Sequence, residues 1–245
     1  MRHLLPALML FAPLALPADE PKRPAKPKYE TRREHDPNGI GKFYMGREIA
    51  IVMGHEAAGW LERPEREKEE KPSKLLPLLK LKPGDVVADV GAGSGFYSFK
   101  LAPLVGEKGK VLANDIQPEM LDIIKRRAKE LNITNVEPVL GTITDPKLPE
   151  SGVDLVLLVD VYHEFDHPYE MTEAMVKSLK PGGRLVFVEF RLEDENVPIK
   201  LVHKMSEKQV LKEMALFPEL KHVKTHGELP WQHVIVFAKK AAEKK

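Results

Sequence analysis

Three glycines alternate with other residues directly after a short apolar stretch that ends in Asp89: they are Gly91, Gly93 and Gly95. Glycine adopts positive φ angles and lets the backbone approach a ligand closely, and a glycine loop that leads into a helix offers free N–H groups to that ligand. A dinucleotide-binding loop needs its third glycine at position 96, where this chain has Phe96. The spacing therefore predicts a small-molecule cofactor site and disfavours NAD.

A second pattern, H-E-x-x-H, occupies residues 163–167. In zinc proteases this pattern places two histidines on one face of a helix, with the glutamate beside them. Here it follows an apolar stretch that ends in Asp160, and Pro168 comes directly after it, as at the first turn of a new helix. The two histidines therefore need not share a helical face, and we expect no metal site.

The composition narrows the class of protein further. The chain has 245 residues, 42% of them hydrophobic, which suffices for one catalytic-sized domain. The formal net charge is +1, so the charge gives no support to nucleic-acid binding. The sequence has no cysteine, which excludes disulfides, thiolate metal sites and cysteine nucleophiles.

The elements that must position these residues are a series of alternating strands and helices. Seven stretches rich in Val, Ile and Leu predict β-strands, at residues 85–90, 110–115, 135–140, 153–160, 184–190, 219–225 and 231–238. Helical patterns lie between them, at residues 95–104, 118–131, 167–179 and 206–216. This alternation predicts an α/β fold with a mostly parallel sheet, helices on both faces and ligands at the carboxyl ends of the strands.

The first 80 residues divide into three parts. Residues 1–18 combine an early basic residue, an apolar run and small residues at the end, which predicts an export signal and a periplasmic or extracellular protein, with a cytoplasmic location as the alternative. The run is too short to span a bilayer, so no membrane span is expected in the mature chain. Residues 19–42 are rich in Pro and Lys and predict a disordered linker. The segment 43–80 is expected to be helical, with helices at 43–61 and 66–80.

The spacing D-x-G-x-G-x-G resembles the first motif of class I S-adenosylmethionine-dependent methyltransferases. Further elements similar to that family follow in order: an acid at the end of the second strand, G-T-I-T-D at residues 141–145, the strand at 153–160, and L-K-P-G-G-R-L-V-F-V-E-F at residues 179–190. The resemblance covers residues 80–240 and implies a Rossmann-like, seven-stranded sheet closed by an antiparallel C-terminal hairpin. Residues 44–72 and the stretch D-V-Y-H-E-F-D-H-P are similar to a group of uncharacterised bacterial methyltransferases.

The resemblance implies S-adenosylmethionine as the cofactor. It implies that Asp115 accepts hydrogen bonds from the ribose hydroxyls and that Ile116 packs on the adenine. Thr142 stands where many relatives place an acid for the adenine amino group, and Asp145 is the expected substitute. The full set of expected cofactor-binding residues is Asp89, Gly91, Gly93, Gly95, Asp115, Ile116, Thr142, Ile143, Asp145 and Asp160.

The resemblance also places the loop after the fourth strand beside the methyl group and the acceptor, which makes Asp160, Tyr162 and His163 the catalytic candidates. His163 is the first candidate for a general base, with Asp160 or His55 second. A structural role for His163, donating to a backbone carbonyl, is the alternative. The N-terminal helical segment is expected to lie over the cofactor as a lid carrying Tyr44, Arg47, His55 and Trp60, with Arg47 or Arg63 pairing the cofactor carboxylate.

The acceptor itself is less constrained by the sequence. The N/D-P-P-Y/F signature used for the planar amines of nucleic acids is absent, which leaves a small molecule, a lipid or a protein as the methyl acceptor. Two alternatives to an active methyltransferase remain at this point. One is a non-catalytic cofactor-binding protein with the same fold, and the other is an NAD-linked oxidoreductase.

Overall fold

In the computed structural model, which describes residues 23–241, the described part of the chain begins with a small antiparallel sheet. Its strands are β1 (Tyr29–Thr31), β2 (Gly39–Tyr44) and β3 (Arg47–Ala50). Met45 and Gly46 connect β2 to β3, and both have a positive φ, 51° and 97°, as in a two-residue hairpin turn. The predicted helix at 43–61 is therefore wrong, because Gly46 allows the chain to reverse where helical continuation was expected.

The predicted disordered linker, residues 19–42, is wrong for the part that the structure describes. Arg23 donates through Nε to Glu219 at 2.8 Å, and Tyr29 donates its hydroxyl to Glu170 at 2.6 Å. The composition argument assumed that ordering this segment buries nothing. The segment instead gains its order from ion pairs and ring contacts with the large domain on which it lies.

Three short helices connect the hairpin to the main sheet. They are α1 (Ala58–Leu61), which follows a 3-10 turn at His55–Ala57, α2 (Arg66–Glu69) and α3 (Pro72–Leu78). The predicted helix at 66–80 is thus broken in two at Lys71, which has a φ of 51°. Proline disfavours helical geometry in the residue before it, and Pro72 follows Lys71 directly, which explains the break.

Within residues 23–241, seven further strands form one sheet, as predicted. They are β4 (Val86–Val90), β5 (Lys110–Asp115), β6 (Val136–Leu140), β7 (Val153–Val159), β8 (Leu179–Phe190), β9 (Leu220–His226) and β10 (Gln232–Lys239). Their order is β6-β5-β4-β7-β8-β10-β9, with β4 to β8 parallel and β10 antiparallel to both of its neighbours. The order of strands reverses beside β4, which creates a ligand-binding crevice at the carboxyl ends.

Four longer helices pack on the two faces of this sheet, at the predicted positions. They are α4 (Phe96–Val105), α5 (Pro118–Glu130), α6 (Pro168–Ser178) and α7 (Glu207–Met214). Helices α4 and α5 contribute to one hydrophobic cluster, and α6 and α7 contribute to the other. Along β7, Val156 and Leu158 belong to one cluster while Leu155 and Leu157 belong to the other. A strand buried on both faces is a firm support for the loop that follows it.

Among the described residues, no helix has the length and apolar character needed to cross a lipid bilayer. The predicted export signal, residues 1–18, lies outside the residues that the structure describes.

Candidate functional site

A cavity of about 620 Å³ lies at the carboxyl ends of β4, β5 and β7. Residues that follow these strands, among them Gly91, Asp115 and Asp160, form its inner wall, and most of the other lining side chains are apolar. The N-terminal segment contributes Val52 and Trp60 to the wall. The N-terminal segment thus lies beside the site, without helix around Val52 and as α1 around Trp60, whereas a helix over residues 43–61 was expected.

The glycine loop forms one wall of the cavity through Gly91 and Gly93, which have φ angles of 74° and 55°. The N–H of Gly91 donates to the carbonyl of Asn114 at 2.9 Å, which ties the loop to the end of β5. A Cβ atom on Gly93 would lie 2.5 Å from Cδ1 of Leu61. The positive φ at Gly93 strains any other residue, and a Cβ there would require Leu61 to move, so glycine keeps this backbone open as a close cradle for a ligand.

Two predicted cofactor residues of this loop lie outside the cavity wall. Gly95 precedes α4 with a φ of 81°, and a Cβ on it would lie 2.8 Å from the ring of Phe99. Asp89 lies behind the loop, 3% exposed, and accepts a hydrogen bond from Oγ of Ser98 at 2.6 Å. Burial raises the pKa of Asp89 to about 6. Both residues shape the loop from behind, so the expectation that they contact the cofactor is corrected.

Asp115 lies on the cavity wall at the end of β5, as predicted. Its Oδ2 accepts from the N–H of Gly93 and its Oδ1 accepts from the N–H of Gln117, each at 2.9 Å. Burial raises the pKa of Asp115, and these backbone hydrogen bonds oppose that effect. Each carboxylate oxygen keeps a lone pair for a ligand hydroxyl. The neighbouring Ile116 is partly exposed on the same wall.

The loop after β6 brings Thr142 and Ile143 to the cavity wall. Asp145 does not join them: its carboxylate pairs with Nζ of Lys147 at 2.7 Å on the surface. The carbonyl of Asp145 also accepts from the N–H of Thr142, at 2.8 Å, which closes the loop on itself. The expectation that Asp145 replaces the missing adenine contact is therefore corrected.

Asp160 follows β7 in a strained conformation with a φ of 50° and lies on the cavity wall. Its Oδ2 accepts from Nε2 of Gln232 at 2.6 Å, whereas its Oδ1 is buried with no hydrogen-bond partner within the described chain. Burial, together with the charges of Glu70 and Glu189, raises the pKa of Asp160 well above its usual range. An unpaired buried acceptor is costly unless a ligand donates to it.

His163 lies on the same wall, in the 3-10 turn Tyr162–Glu164. Its Nδ1 is 2.6 Å from Oε2 of Glu189, a fully buried residue of β8. Burial by itself lowers the pKa of His163, but the charge and hydrogen bond of Glu189 outweigh burial, and the pKa is raised. The carboxylate assigns the proton of the neutral ring to Nδ1 and leaves Nε2 as the acceptor.

Two further groups surround Nε2 of His163. His203, at the end of the 3-10 turn Leu201–His203, places its Nδ1 3.2 Å away. Oε1 of Glu164 lies 3.9 Å from Nε2 of His163 and 3.8 Å from Nδ1 of His203. Burial raises the pKa of Glu164 to about 7 and lowers that of His203 to about 4.

The H-E-x-x-H pattern does not form a zinc-protease helix, as predicted. The turn that carries His163 ends at Glu164, Phe165 is extended, and α6 begins only at Pro168. His167 is directed elsewhere, with Nε2 3.3 Å from Nζ of Lys42.

Tyr162, a predicted catalytic residue, lies in the core. Its hydroxyl donates to Oε2 of Glu213 at 2.6 Å, and its side chain is 1% exposed. Arg47 donates through Nε to the same carboxylate at 2.7 Å and through Nη1 to the carbonyl of His163 at 3.3 Å. Tyr162 and Arg47 therefore hold the loop after β7 in place from within the core, and neither is placed to meet an acceptor or the cofactor carboxylate.

Arg63, His55 and Tyr44, which were also expected to act from the lid, do not line the cavity. Arg63 pairs with Glu69 at 2.8 Å and with Glu70 at 2.6 Å. His55 does not line the cavity, and its Nε2 lies 3.7 Å from Oε1 of Glu56 on the surface. Tyr44 is fully buried in the core.

Sequence reasoning missed Glu189 and His203. Glu189 lies within the apolar run of β8, where an ionisable residue is unusual, and that position was its one available signal. His203 is 40 residues from His163 in a stretch without a recognisable motif.

Comparison with known proteins agrees with the geometry. Residues 81–240, well over half of the chain, match a family model described as a methyltransferase domain. The chain is 30% identical over 116 residues to the ubiquinone/menaquinone biosynthesis C-methyltransferase UbiE of Ectopseudomonas mendocina, covering 47% of this chain and 45% of that protein. It is 30% identical over 106 residues to the demethylmenaquinone methyltransferase of Oceanobacillus iheyensis, covering 43% and 44%. Each match spans less than half of the relative's length.

Solved structures show the same architecture. An SAM dependent methyltransferase from Aquifex aeolicus superposes with a TM-score of 0.72 at 26% identity, covering 77% of this chain and all of that chain. The [4+2]-cyclase SpnF superposes with a TM-score of 0.59 at 13% identity, over 69% and 81% of the two chains, and shares the fold alone. The glycine cradle, the acid that ends β5 and the family match over residues 81–240 together show that this chain belongs to the methyltransferase-domain family and has the fold of the class I S-adenosylmethionine-dependent methyltransferases.

Proposed function

We propose that this enzyme methylates a small, largely apolar ring that carries an acidic hydroxyl, at the ring carbon beside that hydroxyl. The observation that carries the proposal is that a single cavity contains both the glycine cradle at Gly93 and the His163 wall, with mostly apolar side chains around them. Its volume, about 620 Å³, falls in the range of small-molecule sites. The names of the quinone-biosynthesis relatives, which are C-methyltransferases, support methylation at carbon and a ring related to quinones.

The cavity residues fit S-adenosylmethionine, which supplies an electrophilic methyl group. Asp115 has carboxylate lone pairs for the ribose hydroxyls, and the backbone at Gly93 lets a ligand approach closely. Ile116 and Ile143 offer apolar surface for the adenine. The unpaired Oδ1 of Asp160 is an acceptor for a cationic amino group.

His163 is the group that accepts the acceptor's hydroxyl proton. Its Nδ1 is bound to the buried carboxylate of Glu189, so the imidazolium formed by proton transfer lies beside a compensating negative charge. Loss of the proton would make the ring carbon electron-rich. Bound S-adenosylmethionine, held in line at about 3 Å, would supply its methyl group to that carbon, with the methyl–sulfur bond breaking and S-adenosylhomocysteine as the leaving group. The ring carbon would then lose its own proton to water, which restores the aromatic ring.

A screen of acceptors tests the proposed function. The full-length protein is incubated with S-adenosylmethionine and with phenols, hydroquinones or unstructured peptides, and the products are identified by mass spectrometry and NMR. We expect a new carbon–methyl bond on a hydroquinone or phenol. Methylation of peptides alone, or binding of S-adenosylhomocysteine without methylation of any hydroxylated ring, would contradict the proposal.

We also propose that residues 1–18 direct the protein out of the cytoplasm. The support is the sequence pattern: a basic residue, an apolar run and small residues near position 18. Intact-mass measurement of protein from its native cell should give a chain that begins near Asp19. Cytoplasmic protein that retains Met1 contradicts export.

A further inference from the structure

Three potential metal ligands converge on the cavity wall. Nε2 of His163, Nδ1 of His203 and Oε1 of Glu164 are separated by 3.2, 3.9 and 3.8 Å. In a tetrahedral zinc site, bonds of about 2.0–2.2 Å place neighbouring ligand atoms about 3.3 Å apart. The three donors thus already have nearly the separations that one cation would impose on them.

We propose that His163, Glu164 and His203 bind one divalent transition-metal cation of the zinc class. All three side chains line the cavity, so the coordination positions that they leave open face the space in which the acceptor lies. Three protein ligands with an open position are the arrangement of catalytic rather than structural zinc sites. This inference goes beyond the proposed function, because it concerns a metal ion bound to the cavity wall and not the identity of the methyl acceptor.

The groups behind the ligands are those that a metal site requires. A histidine ligand normally donates its second ring nitrogen to a carboxylate or carbonyl, which orients the ring. Nδ1 of His163 has such a partner in Glu189, at 2.6 Å, and the other oxygen of Glu189 accepts from the N–H of Tyr162 at 2.9 Å.

The local charge also suits a divalent cation. Glu164 contributes one negative charge directly, and Glu189 contributes a second one immediately behind His163. The nearby guanidinium of Arg47 is neutralised by Glu213, with which it shares a contact of 2.7 Å. Two imidazoles among three donors favour zinc, cobalt or iron(II), whereas magnesium prefers oxygen ligands.

The proposed ligand set is not the one that the sequence motif suggests. In the H-E-x-x-H pattern of zinc proteases the second histidine is a ligand and the glutamate is not. Here Glu164 is a ligand and His203 takes the place of His167, which lies against Lys42. His167→Ala is therefore a matched control: it removes a histidine of the same motif and leaves the proposed site intact.

If the proposed function holds, the cation changes how the acceptor loses its proton. A metal bound to Nε2 of His163 occupies the lone pair that otherwise takes the proton, and it lowers the pKa of a hydroxyl that coordinates to it. Protein loaded with zinc would then bind the acceptor oxygen directly, while protein stripped of metal would rely on the imidazole.

Cobalt binding tests the proposal without any methyl transfer. The full-length protein is treated with chelator, dialysed and titrated with CoCl₂, and the visible absorption of Co²⁺ in a site with nitrogen ligands is recorded. We expect one Co²⁺ per chain in wild type and in His167→Ala, displacement by Zn²⁺ and none by Mg²⁺. His203→Ala and Glu164→Gln should each lose the stoichiometric band, and Glu189→Gln should bind about 10- to 100-fold more weakly.

Calorimetric titration with S-adenosylhomocysteine on the same samples shows that each variant is folded. A wild-type chain that gives no cobalt band, an unchanged band in both His203→Ala and Glu164→Gln, or a band lost in His167→Ala would each overturn the proposal. Binding of S-adenosylhomocysteine without binding of cobalt would overturn the metal site alone and leave the proposed function standing. Cobalt binding without methylation of hydroxylated rings overturns only the proposed function.

Discussion

Nδ1 of His163 lies 2.6 Å from Oε2 of Glu189, and both residues are buried. The contact joins the loop after β7 to the interior of the neighbouring strand β8, so the imidazole is oriented by the sheet and not by its own loop. A carboxylate in this position fixes which ring nitrogen carries the proton and stabilises the charged ring. The geometry is therefore that of a group built to receive a proton or a cation at Nε2.

Replacing His163 by alanine should lower turnover with an identified acceptor by about a hundredfold or more, the lower range for loss of a general base. The affinity for S-adenosylhomocysteine should change only a few-fold, because Asp115 and the glycine cradle are untouched. Steady-state kinetics and calorimetry measure the two effects separately. His167→Ala serves as the control and should retain turnover; equal turnover in His163→Ala would leave His163 a structural residue.

Asp115 and Asp145 were both expected to contact the cofactor, but only Asp115 lies on the cavity wall. Asp115→Ala should weaken binding of S-adenosylhomocysteine by about 1.5–3 kcal/mol, the range for hydrogen bonds to a charged partner. Asp145→Ala should leave the affinity unchanged, since Asp145 pairs with Lys147 outside the cavity. Calorimetric titration of both variants checks the prediction, and a comparable loss in the two would restore Asp145 to the site.

The main sheet could be predicted from the sequence because its central parallel strands, β5, β4, β7 and β8, are buried on both faces. Leu155 and Val156, adjacent in β7, belong to the hydrophobic clusters on opposite faces of the sheet. A strand buried in this way needs apolar residues at consecutive positions, and such a run is visible in the sequence. The glycine cradle and Asp115 could be predicted for a related reason, because the glycines directly follow the buried strand β4 and Asp115 is the last residue of the buried strand β5.

The N-terminal hairpin and the charged partners of the loop after β7 could not be predicted from runs of apolar residues. Residues 23–38, which precede the hairpin, have few apolar side chains, and their order depends on contacts such as that between Tyr29 and Glu170, 141 residues apart. Arg47 looked available for a cofactor carboxylate because nothing near it in the sequence shows that Glu213, 166 residues away, already pairs with it. Long-range pairing of charges leaves no local pattern.

A side chain at Gly93 should prevent cofactor binding. Gly93→Ala places a Cβ 2.5 Å from Leu61 and strains a backbone with a φ of 55°. Gly182→Ala is a matched control, since Gly182 has a φ of 78° but open space around it. Both should lose about 1–2 kcal/mol of stability, and only Gly93→Ala should lose affinity for S-adenosylhomocysteine. Normal affinity in Gly93→Ala would show that the cofactor does not approach this backbone.

Arg47 should matter for stability and not for cofactor binding. Arg47→Met removes one partner of the buried pair with Glu213 and leaves that carboxylate, which is fully buried, without its counter-charge. The free energy of unfolding should fall by about 3–5 kcal/mol. Chemical denaturation measures this loss, and calorimetry at a temperature where the variant is folded should give an unchanged affinity for S-adenosylhomocysteine. A stable variant with much weaker binding would instead place Arg47 on the cofactor carboxylate.

Asp89 should make the protein less stable as the pH rises. Its pKa is raised by burial to about 6, above its ordinary value of 3.8, so folding favours its protonated form. The stabilisation from this group is complete below the unfolded pKa and is lost as the pH rises through about 6. The full difference corresponds to about 3 kcal/mol. Asp89→Asn, which mimics the protonated side chain, should therefore gain in melting temperature relative to wild type between pH 5 and pH 8. The exposed Asp145→Asn should show no such gain, and a constant difference between Asp89→Asn and wild type across this range would mean that Asp89 is already ionised at pH 5 in the folded protein.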